Sequence, residues 1–289
     1  ENQKMKLNIN CPINTVSYGY VSSYFIKELL KKDYNLRHIK IGQSDPDDNL
    51  APFLRDFCAD RRDFFNDAPC LKIWHQHDLH TFAGSGPHIG FPIFELEEFN
   101  PVEKHSLSHP DFLFTCSEWG RQVFINNDPS RADTSHVVPL GYDDEIFKPV
   151  NLPSPQTTVF GNFGKFEVRK GHDVLVNIFN KAFEKNDNVA LVMMPHNFFL
   201  NQNELNNWVN LYLSSKLGDK VHFIPRVKTQ EMAYNIMRQV HCGIFPSRAE
   251  GWNLEALELL ACGRHLIITN CTGHTEFCDH SNSRLINMT

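Results

Sequence analysis

The sequence predicts an α/β protein built from two doubly wound parallel-sheet domains. Short continuous apolar runs alternate with amphipathic helical stretches, and this alternation stops at the proline-bearing segment KPVNLPSPQTT and then starts again. The length, 289 residues, also suits two domains of roughly 100 to 200 residues each. Apolar strands separated by helices imply a parallel sheet covered on both faces. With the boundary set among the prolines, the domains are expected at 1–150 and 151–289.

The leading ENQK is set aside from the fold reasoning. MKLNINCPI (5–13) reads as the first strand, NTVSYGY as a loop, and the stretch to Lys32 as a helix with Val21, Tyr24, Phe25, Leu29 and Leu30 on one face. LKIWHQH (71–77), DFLFTCS (111–117) and SHVVPLG (135–141) are further strands, with EWGRQVFIN a helix between the last two. The second half gives TTVFGNFG strand, GHDVLVNIFNKAFEK helix, VALVMMP strand, ELNNWVNLYLSSKLG helix and KVHFIP strand. TQEMAYNIMRQV helix, CGIFPS strand, LEALELLACG helix and HLIITN strand follow. Two such domains leave a cleft at the carboxyl ends of their strands, where ligands are expected.

Composition narrows the function. The net charge of −6 comes from the first half, where residues 1–148 hold 15 Lys+Arg against 22 Asp+Glu, while residues 149–289 hold 13 against 12. An extended nucleic-acid surface needs clustered positive charge and is excluded by that balance. No apolar stretch approaches the roughly 18 residues of a transmembrane segment, and no signal-peptide pattern opens the chain. The expected setting is the cytoplasm, with a peripheral membrane position compatible. The eight cysteines are scattered without a Cys-x-x-Cys pair and read as reduced, buried thiols.

EGWNLEALELLACG (250–263) sets two carboxylates eight positions apart around a helix start. Asn253 is a good N-cap and Gly263 a good C′ residue, so the helix is expected from about Leu254 to Cys262. Glu250 then lies in the preceding loop, and Glu258 sits four residues into the helix, roughly 6 Å along its axis. The free amides and positive dipole end between them suit a phosphate. The same carboxylates also suit plain helix stabilisation, and both readings stand at this stage.

The stretch resembles the Glu-x7-Glu signature of retaining GT-B glycosyltransferases, specifically glycosyltransferase family 4. GKFEVRKG (164–171) is similar to that family's Gly-basic-x5-Lys-Gly segment, VVPLGYDDEIFKP (137–149) to the segment that ends the first domain, and TNCTGHTEF (269–277) to the turn after the signature. The resemblance implies a GT-B fold of two Rossmann-like domains, the first facing the acceptor and the second the nucleotide sugar. It implies transfer from a nucleoside diphosphate sugar to a carbohydrate, lipid-linked or other hydroxyl acceptor, with retention and with no cofactor or metal. Lys165 and Lys170 would hold the diphosphate, Glu258 the ribose hydroxyls and Glu250 the donor sugar. Gly19, Arg248, Asn253 and Leu254 complete the donor side, His77 contacts the donor sugar or acceptor, and Glu95 lies on the acceptor side. Glu250, His77 and Lys170 are the expected catalytic set.

The chain departs from the family pattern at three positions. Lys165 replaces the usual arginine and loses its two-pronged geometry. Asn253 stands where glycine is common, and Tyr18 fills one place of a glycine pair, leaving Gly19. Outside the resemblance, His75, His77, Asp78 and His80 in WHQHDLH have a spacing that hydrolases use for metals, but no second cluster completes a ligand set. DPD (45–47) imitates a metal-binding Asp-x-Asp, yet no strand leads into it, so it reads as a loop. A sugar-nucleotide epimerase of the same architecture, or a non-catalytic sugar-nucleotide-binding relative, are the competing functions. The intact set Lys165, Lys170, Glu250 and Glu258 favours the transferase.

Overall fold

The computed structural model describes residues 4–58 and 63–288. Contacts divide the chain into two compact units, Glu1–Leu140 and Gly141–Thr289.

The first unit runs β1 (Lys6–Cys11), α1 (Ser17–Lys31), β2 (Asn35–Lys40), α2 (Ala51–Leu54), β3 (Cys70–Lys72), β4 (His88–Gly90), α3 (Pro101–Leu107), β5 (Phe112–Thr115), α4 (Glu118–Asn127) and β6 (Ser135–Val137). Its strands form one sheet in the order β2-β1-β3-β4-β5-β6, every described pair parallel. Local chemistry sets the helix starts. In α3 the Asn100 side chain accepts from the Glu103 amide and Glu103 bonds back to the Asn100 amide, while Ser117 caps α4. Leu113, Val123 and Phe124 are buried together where α4 covers the sheet.

The second unit runs β7 (Thr158–Phe163), α5 (His172–Ala182), β8 (Val189–Met194), α6 (Gln202–Leu213), β9 (Val221–Phe223), α7 (Gln230–Met237), β10 (Cys242–Phe245), α8 (Leu254–Ala261), β11 (His265–Thr269) and β12 (Ser283–Ile286). The strand order is β12-β11-β10-β7-β8-β9, again parallel throughout the described pairs. Val189, Leu191 and Met193 of β8 point inward and pack with Leu175, Val176 and Phe179 of α5, one apolar period of two meeting one of 3.6. Leu259, Leu266 and Ile268 build the core on the other side, around α8 and β11.

The contact division falls ten residues before the expected boundary of 150, and packing gives the reason. Phe147 is 1% exposed inside the second unit's core and meets the Tyr234 ring edge-on at 5.9 Å. The Val150 amide donates to the Cys262 carbonyl at 3.3 Å, and the Arg264 guanidinium donates to the Val150 carbonyl. The segment before the prolines thus belongs with the unit that follows it.

In each sheet the chain reverses its direction of growth once, between β1 and β3 in the first and between β7 and β10 in the second. Loops leaving the carboxyl ends of such strand pairs diverge and open a crevice. The loop after β7 carries Lys165 and Lys170, and the loop after β10 carries Arg248 and Glu250.

Candidate functional site

Because β7 and β10 are neighbours, residues eighty positions apart converge at their carboxyl ends. Lys170 Nζ donates to Glu250 Oε1 at 2.8 Å, and Arg169 donates from NH1 to Glu250 Oε2 at 2.9 Å. The Ser247 hydroxyl adds a third bond to Glu250 at 3.0 Å. Glu250 is 4% exposed and Lys170 is 9% exposed, so this ion cluster is buried. Burial alone would raise the Glu250 pKa, but Lys170 and Arg169 outweigh it and hold the carboxyl at about 2. Burial would lower the Lys170 pKa, and Glu250 with Glu255 overcomes that and raises it. Both groups are therefore charged at neutral pH.

Backbone geometry fixes the cluster. Gly171 has φ +76°, and a Cβ there would come within 2.2 Å of the Pro246 carbonyl oxygen, so only glycine lets the β7 loop press this closely on the β10 loop. The Glu250 amide donates to the Thr272 hydroxyl at 2.8 Å, and the Gly273 amide donates to the Glu250 carbonyl at 2.9 Å. The TNCTGHTEF turn thus clamps the Glu250 loop from the other side. His172, fully buried, accepts from the Glu167 amide at 3.0 Å and donates to Asn162 Oδ1 at 2.8 Å. Desolvation drives its pKa down to about 4, which makes it a neutral brace of the Lys170 loop.

Asn253 caps α8 with its side chain accepting from the Ala256 amide at 3.2 Å, and Gly263 follows the helix at φ +77°. Asn253 adopts φ +86°, the left-handed conformation that glycine favours, which asparagine tolerates better than most residues. Its Nδ2 donates to His274 Nε2 at 2.9 Å, while His274 Nδ1 donates to the Thr269 carbonyl at 2.9 Å. Leu254 begins the helix and is half-buried. Glu258 is 7% exposed, and desolvation, with Glu255 one turn earlier, raises its pKa well above the ordinary carboxylate value against a hydrogen bond with Gln230. The two glutamates of the motif are thus shifted in opposite directions, Glu250 down by its cations and Glu258 up by burial.

Other expected residues lie differently. Lys165 is half-exposed, its ammonium 3.7 Å from Glu167 and 5.2 Å from the centre of the Phe199 ring. Arg248 makes a two-pronged pair with Asp173 at 2.8 and 2.9 Å on the surface and donates to the Val168 carbonyl, which makes it a brace between loop and helix. Arg169 is the residue that the sequence reading passed over. Its position beside Lys170 in VRKG was the available signal, but nothing in that spacing says which of two adjacent cations turns inward.

In the first unit the reversal point gathers Gly19, Tyr18, His75 and His77. Gly19 lies in the first turn of α1, where a Cβ would come within 2.3 Å of the Asn14 carbonyl oxygen. The Tyr18 hydroxyl donates to the Ile93 carbonyl at 2.9 Å and accepts from the Ile93 amide at 2.8 Å, and its ring meets His75 at 4.7 Å and Trp74 at 5.4 Å. Thus the tyrosine at the glycine position ties the start of α1 to the loop at Ile93. The expected strand stops at Lys72, and His77 sits exposed in a 3₁₀ turn, Gln76–Asp78, stacked on His75 at 5.3 Å. Glu95 is half-buried near Tyr18. Asp47 of DPD accepts from the Tyr20 hydroxyl and the Asn49 amide, at 2.9 and 2.8 Å. Among the described residues, no group of three or more His, Cys, Asp or Glu is arranged to hold a metal ion, and no helix is long and apolar enough to cross a membrane.

Comparison with known structures places this architecture in the GT-B class. A sucrose-phosphate synthase from Thermosynechococcus elongatus superposes with a TM-score of 0.74 at 14% identity, over 98% of this chain and 86% of that one. Anabaena HepE in complex with UDP and glucose gives 0.72 at 13% identity, over 98% and 86%. The E. coli trehalose-6-phosphate protein bound with UDP-2-fluoro glucose gives 0.68 at 12% identity, over 98% and 88%. Residues 157–288 match the family described as Glycosyl transferases group 1. A mannosylfructose-phosphate synthase from Agrobacterium fabrum is 27% identical over 223 residues, 69% of this chain. The match covers 49% of that protein, so the chain spans about half the length of this relative.

Proposed function

We propose that the chain transfers a sugar from a nucleoside diphosphate sugar to an acceptor hydroxyl, with retention and without a metal ion. The observation that carries this reading is the buried Lys170–Glu250 pair, 2.8 Å apart where the β7 and β10 loops diverge, one turn from the amino end of α8. In the transfer, the acceptor oxygen bonds to the anomeric carbon as the bond from that carbon to the β-phosphate oxygen breaks; the electrons of the broken bond pass to the phosphate oxygen, which takes up the proton of the acceptor hydroxyl. Lys170, with Lys165 and the α8 amides, offers fixed positive charge where the phosphate charge grows, and that charge is already in place before reaction. Glu250, ionised, faces the positive character at the anomeric carbon and the donor sugar hydroxyls. Glu258 can accept a hydrogen bond from a ribose hydroxyl. Arg169 positions Glu250, and Arg248 holds the loop to α5 through Asp173.

The relatives support a donor of this chemistry, since two of the similar structures hold UDP or a UDP sugar. Two are synthases of phosphorylated disaccharides, which favours a carbohydrate over a lipid-linked acceptor. His77 and Glu95 are assigned to the acceptor side. The test is incubation with a panel of nucleotide sugars, with and without hexoses and hexose phosphates, reading free nucleoside diphosphate and the anomeric configuration of the product. Acceptor-dependent release with a retained anomer is expected. A product of inverted configuration, or isomerised nucleotide sugar without release, contradicts the reading.

A further inference from the structure

The first unit has a cavity of about 550 Å³ at the carboxyl end of its edge strand, within the range of about 300–1,000 Å³ usual for small-molecule sites. Asn10 of β1 pairs in register with Ile39 of β2 and Lys72 of β3, so the three side chains share one sheet face. Loops roof that face. The Asn8 side chain holds the Phe65 backbone from both sides at 2.8 and 2.9 Å, and Lys72 Nζ reaches the Thr81 hydroxyl at 3.2 Å. The space between sheet and loops is the cavity, walled by Phe64, Thr81, Phe82 and Ala83.

Asn10 Oδ1, at the floor, is buried and meets no hydrogen-bond partner among the described residues. A buried acceptor left without a donor costs free energy, so its occurrence at a cavity wall marks where a donor belongs. His38 Nδ1 is a second such atom in the lining but lies one residue out of register, so Asn10 carries the argument. The lining holds one lysine, Lys40, and one carboxylate, Asp63, which pairs with Arg37 at 2.8 Å, while Lys72 pairs with Asp78 at 3.4 Å. This balance favours neither a phosphate nor a polyamine. The Phe82 ring, stacked on His88 at 4.7 Å, and the half-exposed Phe64 offer aromatic faces.

We propose that this cavity binds a neutral polyhydroxyl ring, a monosaccharide, whose hydroxyl donates to Asn10 Oδ1 while its C–H face lies on the aromatic wall. The site is built wholly from the first unit, so its occupation does not depend on the nucleotide reading of the second. Ligand-observed saturation-transfer NMR on the full chain tests it with D-glucose and D-fructose, against inorganic phosphate and putrescine as charged probes. Saturable millimolar binding of at least one hexose is expected. Ala83→Trp, which fills the cavity from a half-buried loop position, should abolish it. Asn10→Leu should weaken it about five- to tenfold. UDP affinity should be unchanged in both variants. Thermal melting checks their folding, and if Asn10→Leu does not fold, Ala83→Trp decides. Absence of saturable hexose binding, preference for phosphate or putrescine, or binding that survives Ala83→Trp overturns the proposal.

Discussion

Glu250 and Glu258 sit eight residues apart yet answer to opposite electrostatic environments, so their substitutions should separate. On the proposed roles, Glu258→Gln is expected to raise the donor KM and weaken free nucleotide binding, because a ribose contact would be present in both donor and product. Glu250→Gln should leave nucleotide affinity nearly intact and lower kcat, because its proposed contact is to the sugar that the free nucleotide lacks. Steady-state kinetics with nucleotide titration checks both, and equal losses of nucleotide affinity would contradict the division. Stability should separate as well. Glu250 has its folded pKa depressed, so its contribution is present above the unfolded value near 4.5 and is lost as pH falls toward about 2. Glu258 has its folded pKa raised, so its cost to folding grows as pH rises above the unfolded value toward the folded one. Melting temperatures should therefore show Glu258→Gln gaining on the wild type from pH 4 to pH 8. A constant difference across that range would mean that Glu258 is ionised in the folded protein. At this scale the cap Asn253 and the C′ glycine were legible, because each acts on its own helix. The partners of Arg169 and Arg248 were not, since only the fold brings Glu250 and Asp173 near them.

Single elements explain how the loops are held, and two substitutions probe them. Gly171→Ala forces a Cβ against the Pro246 carbonyl at a left-handed φ, so it should both destabilise the fold and reduce nucleotide affinity by displacing Lys170. Urea unfolding together with nucleotide titration reads the two effects, and wild-type values for both would remove Gly171 from its stated role. Phe147→Ala empties a buried site in the second unit's core and should cost about 3–5 kcal/mol in denaturant unfolding. A loss below about 1 kcal/mol would mean that the segment before the prolines does not belong to that core. Element by element, the long amphipathic helices and the apolar strands β7, β8, β10 and β11 are legible in the sequence. The strands β2, β4 and β12 were missed for a common reason. NLRHIK and SRLI mix charge into their alternation as edge strands, and HIG is three residues long, so none carries enough apolar periodicity to rise above a loop. The WHQH strand was overextended because its aromatic residues favour strands, whereas the chain turns away after Lys72 to present His75 and His77 from a loop.

For the whole molecule, repetition of one architecture in two units explains why the fold was readable without any repeat in sequence: each unit needs only apolar strands in alternation with helices. The boundary was less readable, because proline content marks where regular structure stops and says nothing about which core the preceding ten residues join. Each unit gathers polar and aromatic side chains where its own sheet reverses, Tyr18 with His75 in the first and Lys170 with Glu250 in the second. If fixed cations meet the charge of the diphosphate, activity should persist in excess EDTA, and loss of activity restored by Mn²⁺ would contradict that role. The most direct test of the account is calorimetric titration of UDP into the wild type and into Lys170→Ala, with folding of the variant verified by melting. Removal of one charge-assisted contact, about 1.5–3 kcal/mol, should weaken UDP binding by more than about tenfold. Unchanged affinity in a folded Lys170→Ala protein would contradict the assignment of the β7–β10 reversal point as the nucleotide site.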